Sequence, residues 1–246
     1  MCGNIKVANR GTLLGSLQAA EYISGLNLYR RAFAYLSCVQ IISGAIGAFR
    51  KDALVAVGGY SVNTLVEDMD LTIALSRAGY EVAYCAEAVA YTEAPESLRA
   101  LLKQRHRWML GNFEVLGKHG DILFRKRYRR MGMLGLPYFL IAPIFNVFGS
   151  LTFLYLLFSV LVGGISETYI APLILMLMLH VGLFLYALFL DREDARLLFV
   201  SLLDPLWYAH LMSFVYVRAA VAYFRGQEHS WDKLARLGKN VALARG

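Results

Sequence analysis

Two short stretches of the sequence carry residue types that could do chemistry. The first is Val66-Glu67-Asp68, where two acids open a run whose apolar residues recur at helical spacing, so they lie at a predicted helix N-terminus. A carboxylate held there beside a cleft can accept a proton from a hydroxyl group. Taken alone, the acids are better explained by the helix dipole that they complement.

Asp68-Met69-Asp70 also has the D-x-D spacing by which carboxylates hold Mg²⁺ or Mn²⁺ on a nucleotide diphosphate. Such a motif normally ends an apolar strand, whereas these acids start a helix, with Asp70 pointing along its first turn. We therefore predict no metal site in this chain.

The second stretch is QRHRW, in which Gln104, Arg107 and Trp108 are spaced to share one helix face. Arginine suits two-point contact with phosphate, and an indole face suits stacking on a sugar. Arg105 falls on another face, where we expect lipid headgroups or backbone. The alternative is a basic interfacial helix that only anchors the protein, and taken alone the motif favours it.

A third cluster, Trp231, Lys233 and Arg236, follows the last apolar segment. Its alternative is a solvated basic tail that contacts anionic lipid.

The composition indicates a membrane protein. The 246 residues are 58% apolar and 17% charged, with a mean hydropathy of +0.48. Ten Lys and Arg lie between Arg99 and Arg130 against two acids, and no charge follows from Met131 to Ser166. This pattern places the residues before 131 in the cytoplasm, with the lipid bilayer as a partner and no nucleic acid.

The periodicity predicts a mixed α/β segment before residue 98. The expected elements are a strand near Ile5–Ala8, a helix over Leu13–Leu36, a strand-like run over 39–50, a helix from Glu67 ended by Gly79, strands at Glu81–Cys85 and Val89–Tyr91, and an amphipathic helix over Ser97–His119.

Three apolar segments follow, at about Leu134–Gly163, Tyr169–Leu190 and Leu197–Phe224. A crossing needs about 20 apolar residues, which the first two segments supply. The third contains Asp204-Pro205 and Arg218, so it is either a crossing or a broken, partly interfacial helix. Three crossings would put the tail outside, whereas its basic residues favour the inside.

The order of these pieces resembles a known family. SGAIGAFRKD (43–52), GGY (58–60), VED (66–68), TEAP (92–95), QRHRW (104–108), the apolar spans and a terminal W-x-K-x-x-R resemble the membrane-embedded, processive family 2 glycosyltransferases. These include the poly-N-acetylglucosamine, cellulose, chitin and hyaluronan synthases. CGNIKVANR followed by AEYISGLNLYRR is most similar to the poly-N-acetylglucosamine branch.

The resemblance implies an α/β, partial GT-A-like catalytic domain over residues 1–96. Residues 97–130 would form an interfacial helix that carries QxxRW and ends in a run of basic residues. About three membrane helices would follow over 131–224, and residues 225–246 would form a basic tail with W-x-K-x-x-R. The implied activity is inverting transfer of a sugar from a UDP-sugar, expected to be UDP-N-acetylglucosamine, to a growing β-linked polysaccharide, coupled to translocation across the membrane.

Carried onto this sequence, the resemblance makes Asp68 the general base, with Glu67 beside it. Arg107 would stabilise the departing diphosphate, Trp108 would stack the acceptor sugar, and Gln104 completes the motif. The substrate would also contact Ser43 and Gly44. The element that closes over the nucleotide would comprise Trp231, Lys233 and Arg236.

The sequence departs from the family in two ways. Val66 stands where the family often has Thr. The family's nucleotide-binding half, with the Mg²⁺ or Mn²⁺ ligands, precedes the point where this chain begins, so we expect a C-terminal part with incomplete activity. A small membrane or extracytoplasmic accessory subunit is a further expected partner. The alternatives are a non-processive transferase with a lipid acceptor and a catalytically silent membrane fragment or subunit.

Overall fold

The structure, a computed structural model, describes residues 1–226, so the Trp231, Lys233 and Arg236 cluster lies outside the described residues. Its strands are β1 (Cys2–Val7) and β2 (Tyr84–Thr92). Its α-helices are α1 (Leu13–Glu21), α2 (Tyr29–Tyr35), α3 (Lys51–Ala56), α4 (Glu67–Arg77), α5 (Leu98–Lys118), α6 (Leu136–Gly163), α7 (Glu167–Asp191), α8 (Leu197–Ser201) and α9 (Ala209–Phe224). A π-helical stretch, Tyr22–Leu28, joins α1 to α2, so the predicted long helix is confirmed.

The two strands pair in parallel and form a small sheet, which is the part of the predicted α/β fold that the structure shows. The register shifts after Gly3, so that Gly3 pairs with Cys85 and Asn4 with Val89. The strand predicted at 89–91 therefore lies within β2. Of the strand predicted at 81–85 only Tyr84 and Cys85 belong to β2, on the other side of a bulge, and residues 81–83 are irregular. A Cβ on Gly3 would lie 2.5 Å from the carbonyl oxygen of Ala88, so only glycine fits against this bulge.

The strand predicted over residues 39–50 is wrong. Apart from one isolated bridge between Gly47 and Cys2, this segment is irregular within the described residues. Its backbone donors go to side chains of α4 instead of to a strand: the Ile42 amide donates to the Thr72 hydroxyl and the Gly44 amide to the Asp68 carboxylate. Side-chain acceptors of this kind compete with sheet pairing.

Helices α4 and α5 form where the pattern predicts them. Gly79 follows α4 with a φ of +89°, a left-handed conformation that glycine adopts at no steric cost. Ser97 precedes α5, and its hydroxyl accepts a hydrogen bond from the Ala100 amide, which is an N-cap. These two helices carry the VED and QRHRW motifs.

The three apolar segments are confirmed as helices. Met131–Gly163, Glu167–Asp191 and Leu197–Phe224 are each long and apolar enough to cross a membrane. Helices α6 and α7 form a hairpin whose outer part exposes large apolar side chains, including Phe158 and Ile165, and this exposure suits lipid. The third segment has an irregular π-helical stretch at Asp204–Tyr208, where the predicted break lies.

Candidate active site

Asp68 lies in the first turn of α4 with both carboxylate oxygens oriented by backbone donors. Its Oδ2 accepts a hydrogen bond from the Gly44 amide at 3.0 Å, and its Oδ1 accepts one from the Met69 amide at 2.8 Å. The side chain is half-buried. Each carboxylate oxygen has a second lone pair, so Asp68 can still accept a proton from a hydroxyl group that enters from the exposed side.

Thr72 attaches the segment that carries Ser43 and Gly44 to the same helix. Its hydroxyl accepts a hydrogen bond from the Ile42 amide at 2.8 Å and donates to the Asp68 carbonyl oxygen at 2.6 Å. The structure therefore brings predicted substrate residues Ser43 and Gly44 to the N-terminal end of α4, one turn above Thr72.

Leu65, three residues before Asp68, is held by two side chains of α5. Its carbonyl oxygen accepts a hydrogen bond from Arg107 Nη1 at 2.8 Å, and its amide donates to Glu114 Oε2 at 3.4 Å. These two bonds tie the QRHRW helix to the segment that enters the ED motif. Arg107 retains other guanidinium N–H groups with which it can bind an anion.

Gly111 lets α5 approach the ED segment closely. A Cβ at this position would lie 2.9 Å from both γ-carbons of Val66 and 3.0 Å from the Cβ of Leu65, distances that leave no room for a side chain. Val66, which stands where the family often has Thr, is buried against this glycine. The side chains of Leu65 and Val66, which lead into the ED motif, thus pack directly on the QRHRW helix.

Arg105 does not face lipid headgroups, so that prediction is wrong. It is 1% exposed, and its Nε and Nη2 donate to Glu21 Oε1 and Oε2 at 3.2 and 2.6 Å. Burial acts to lower the pKa of Arg105, but the charges and hydrogen bonds of its partners, Glu21 above all, outweigh it and raise that pKa. The physical reason is that a guanidinium buried in an apolar setting requires a carboxylate partner.

Arg105 also contacts the two remaining residues of the motif. Its Nη1 donates to Gln104 Oε1 at 2.5 Å, and its guanidinium lies over the Trp108 ring, 4.3 Å from the centroid. Gln104 and Trp108 are therefore held by Arg105, whereas Arg107 is held by Leu65. Trp108 is half-buried and packs at the edge of a core formed by β1, α1, the π-helical stretch and α7.

Asp70 points away from Asp68, toward the C-terminal end of α5. It accepts hydrogen bonds from Lys118 Nζ at 2.7 Å and from His119 Nε2 at 2.8 Å. Burial raises the pKa of Asp70, but these two donors outweigh it and the net shift is downward. Because the two aspartates face different partners, they do not fit a shared Mg²⁺ or Mn²⁺, and within residues 1–226 no three His, Cys, Asp or Glu side chains gather to hold a metal ion.

Glu67 lines an open cavity of about 570 Å³ beside the ED segment. The other polar side chains of its wall belong to Ser61, Asn63, Thr64 and Glu114. Hydroxyls, an amide and two carboxylates can all exchange hydrogen bonds with sugar hydroxyls. Glu67 and Asp68 are adjacent in sequence, but Glu67 faces this cavity whereas Asp68 contacts the Gly44 amide.

Sequence reasoning missed the residues that hold the motifs together, namely Glu21, Leu65, Thr72 and Gly111. Only Glu21 left a signal: it is the one charged residue between Arg10 and Arg30, within an apolar helix. An isolated acid in such a helix calls for a cationic partner. Leu65 acts through its backbone atoms, and Gly111 acts because it has no side chain. Neither role can be recognised from the residue type.

With this geometry established, comparison with known proteins identifies the class. The profile of glycosyl transferase family group 2 matches residues 1–190, a range that includes the ED and QxxRW motifs and the first two apolar segments. The chain therefore belongs to glycosyl transferase family group 2, and the predicted resemblance is confirmed.

Curated proteins similar to this chain include poly-β-1,6-N-acetyl-D-glucosamine synthases. The protein from Staphylococcus epidermidis is 28% identical over 218 residues, which cover 85% of this chain and 52% of the relative. The protein from Staphylococcus aureus strain COL is 35% identical over 114 residues, which cover 46% of this chain and 28% of the relative. The chain thus spans about half the length of the S. epidermidis relative.

Proposed function

We propose that this chain forms the acceptor-activating part of an inverting glycosyltransferase that extends a β-linked polysaccharide at a membrane. The donor is a UDP-sugar, UDP-N-acetylglucosamine in particular. The synthases named above support this substrate class, since their product is a polymer of N-acetylglucosamine.

The attachment of the QRHRW helix to the ED segment carries the proposal. Arg107 binds the Leu65 carbonyl oxygen, and Gly111 admits Val66 against the helix, so the segment that leads into Asp68 is attached to the helix of the QxxRW motif as one unit. A general base is effective only when it is positioned on the proton that it removes, and this unit positions Asp68.

In the reaction, the acceptor hydroxyl gives its proton to the carboxylate of Asp68, and its oxygen forms a bond to the anomeric carbon of the donor sugar. The bond from that carbon to the diphosphate oxygen breaks, the electron pair leaves with the diphosphate, and the configuration inverts. Arg107 supplies positive charge to the leaving group, where preorganised donors act most strongly.

The remaining site residues bind sugar in this proposal. Trp108 offers the ring face that is not covered by Arg105 to the acceptor, and Gln104 offers its amide N–H groups. Glu67 lies at the polar cavity, while Ser43 and Gly44 border Asp68 from the other side.

The basic block from Arg99 to Arg130 supports a catalytic part on the cytoplasmic face of the cell membrane. The α6–α7 hairpin starts at the C-terminal end of that block. A polymer that grows at the QRHRW helix would then enter the membrane beside this hairpin.

The test is to incubate membranes from cells that express the protein with individual radiolabelled UDP-sugars and to measure the length of the labelled product. We expect polymer from UDP-N-acetylglucosamine. Polymer from another UDP-sugar alone would overturn the donor assignment, and one added sugar on a lipid would indicate a non-processive transferase. Absence of labelled product with every donor would favour a silent subunit.

A further inference from the structure

We propose that Arg30 and Tyr84 form a phosphate-binding site beside Asp68, and that this site takes the diphosphate of the donor. The inference rests on the proposed function, because the donor there is a UDP-sugar. Neither residue belongs to the ED motif or to the QxxRW motif, and the proposed mechanism gives a role to neither of them.

Arg30 is a buried cation without a counter-charge. It lies in α2 and is 8% exposed, and its Nη1 is fully buried with no hydrogen-bond acceptor. Within residues 1–226 no carboxylate forms an ion pair with its guanidinium. A guanidinium buried in this way is costly unless an anion accompanies it, so the position favours an anionic ligand.

Tyr84 supplies a second buried donor that lacks a partner. Its Oη makes no hydrogen bond within the described residues. Burial raises the pKa of Tyr84, so the hydroxyl keeps the proton that it can donate. In the sheet Tyr84 pairs with Cys2, and the charges of both residues act on Arg30 and oppose the lowering of its pKa by burial. The guanidinium of Arg30 and the Tyr84 hydroxyl therefore share one region of the interior.

Two such donors select a ligand that accepts hydrogen bonds and carries negative charge. A guanidinium matches two oxygens of a phosphate, and hydrogen bonds of this kind are about twice as strong as those between neutral groups. A phenol hydroxyl can donate to a further oxygen. A sugar hydroxyl would satisfy the donors but would leave the charge of Arg30 uncompensated. The pair therefore favours a phosphate group over a sugar.

A buried cluster shared by α2 and α4 places Arg30 on the side of Asp68. Phe33 of α2 and Leu71 of α4 both belong to this cluster. Arg30 precedes Phe33 by three residues, so it lies on the same face of α2. In the same way, Asp68 precedes Leu71 by three residues on α4. Asp68 is accordingly the one carboxylate among the groups whose charges act most strongly on Arg30.

The charges of the ED motif explain why a diphosphate requires a cation at this position. Glu67 and Asp68 repel an anion that approaches the motif. Arg30 offsets this repulsion, and its effect is strong because water is excluded around it. Arg107 donates to a neutral acceptor, the Leu65 carbonyl oxygen, so its charge is also uncompensated by that bond. Both cations thus keep a charge for the two phosphate groups of the donor.

The test is isothermal titration calorimetry on the purified full chain in detergent, with UDP, inorganic pyrophosphate, inorganic phosphate and uridine as probes. We expect the wild type to bind UDP and pyrophosphate, and Arg30→Met to weaken both by about 10–100-fold, the usual effect of losing a hydrogen bond to a charged group. Arg30→Lys should recover part of the affinity. Unchanged affinity in Arg30→Met would overturn the proposal. So would a wild type that binds phosphate as tightly as pyrophosphate, or uridine as tightly as UDP.

Tyr84→Phe separates binding from folding. The hydroxyl has no partner, so its removal should leave Tm unchanged while the affinity for UDP falls by about 3–10-fold. Arg30→Met should not lower Tm either, since no ion pair is lost. Tyr35→Phe and Arg50→Met change exposed residues of the same types and should bind UDP like the wild type. Wild-type affinity in Tyr84→Phe, or a loss of affinity in either control, would contradict the site.

This outcome is separable from that of the proposed function, which the labelled polymer tests. Polymer from UDP-N-acetylglucosamine together with unchanged UDP affinity in Arg30→Met would overturn the phosphate site and leave the proposed function standing. Pyrophosphate binding that depends on Arg30, without labelled product from any donor, would support the phosphate site and overturn the proposed function.

Discussion

Arg105 and Glu21 form a two-point ion pair between the QRHRW helix and the end of α1, with Nε–Oε1 and Nη2–Oε2 distances of 3.2 and 2.6 Å. The Arg105 side chain is 1% exposed and that of Glu21 is 26% exposed. The same guanidinium contacts Gln104 and Trp108, and the same carboxylate accepts from Tyr208. This pair therefore joins Gln104 and Trp108 of the QRHRW motif to the third apolar segment.

Replacement of Arg105 by Met should destabilise the protein strongly, because it leaves a partly buried carboxylate without its cation. Breaking such a pair costs about 3 kcal/mol, at the lower end of the usual range because Glu21 is partly exposed. In a chain of this size that corresponds to a fall of roughly 6–12 °C in Tm. The measurement is thermal denaturation in detergent.

The matched control for Arg105→Met is Arg50→Met. Arg50 also pairs with an aspartate, Asp52, but both side chains are largely exposed, at 75% and 61%. Exposed pairs contribute little, so Tm should stay unchanged. Equal effects of the two substitutions would show that the Arg105 pair has no special structural role.

Gly111→Ala should separate the QRHRW helix from the ED segment. The new methyl group would lie 2.9 Å from the γ-carbons of Val66, and overpacking of this kind costs about 1–3 kcal/mol. We expect lower transferase activity and a lower Tm. Adding Val66→Ala removes the two closest contacts, while the one to the Leu65 Cβ at 3.0 Å remains, so it should restore most of both.

Gly149→Ala controls for the substitution itself. Gly149 also lies within a helix, α6, and a Cβ there meets no atom within 4 Å. Alanine favours a helix over glycine by about 1 kcal/mol, so Tm should stay the same or rise. If Gly111→Ala behaved like Gly149→Ala, or if Val66→Ala gave no rescue, the close contact between the motifs would not matter.

The free energy of unfolding should fall as the pH drops below about 6.5, because of His119. Burial, reinforced by the charges of Arg77 and Lys118, lowers the pKa of His119 against the opposing effect of Asp70. A neutral ring donates from Nε2 to Asp70 and accepts from Arg77 at Nδ1. The unfolded chain, with the usual pKa near 6.5, binds the proton first, so acidification favours unfolding.

This prediction is checked by measuring Tm at pH 7.5 and at pH 5.5. His119→Gln keeps an N–H donor for Asp70 but does not titrate, so its Tm should fall less than that of the wild type. Asp70 adds no loss in this window, since its pKa is lowered and its contribution disappears only below about pH 4. Parallel losses in the two proteins would contradict the role of His119.

The elements were predictable where local pattern decides them. The 3.6-residue period gave α4 and α5, and length with apolarity gave the three apolar helices. Residues 39–50 defeated the same reasoning, because the Ile42 and Gly44 amides bond to side chains that lie 30 and 24 residues further along the chain. Strand propensity is a local property and takes no account of hydrogen-bond acceptors so far along the chain.

The site was predictable in its motifs but not in its partners. Helical spacing placed Gln104, Arg107 and Trp108 on related faces, yet it could not tell that Arg105, and not a bound ligand, covers one face of the indole. A periodic pattern predicts on which face of a helix a side chain lies, whereas tertiary packing decides which residue that side chain contacts. Arg105 was therefore assigned to lipid headgroups or backbone, whereas its acceptor is Glu21.

The central claim is that Asp68 activates the acceptor hydroxyl, and Asp68→Asn tests it most directly. Asn keeps the size and can still accept from the Gly44 amide, but it cannot take up the proton. Transfer of radiolabelled sugar by membranes should fall by at least about 10²-fold, the usual contribution of a general base. The control, Asp52→Asn, changes an exposed aspartate outside the site and should transfer like the wild type. Near-normal transfer by Asp68→Asn would contradict the account.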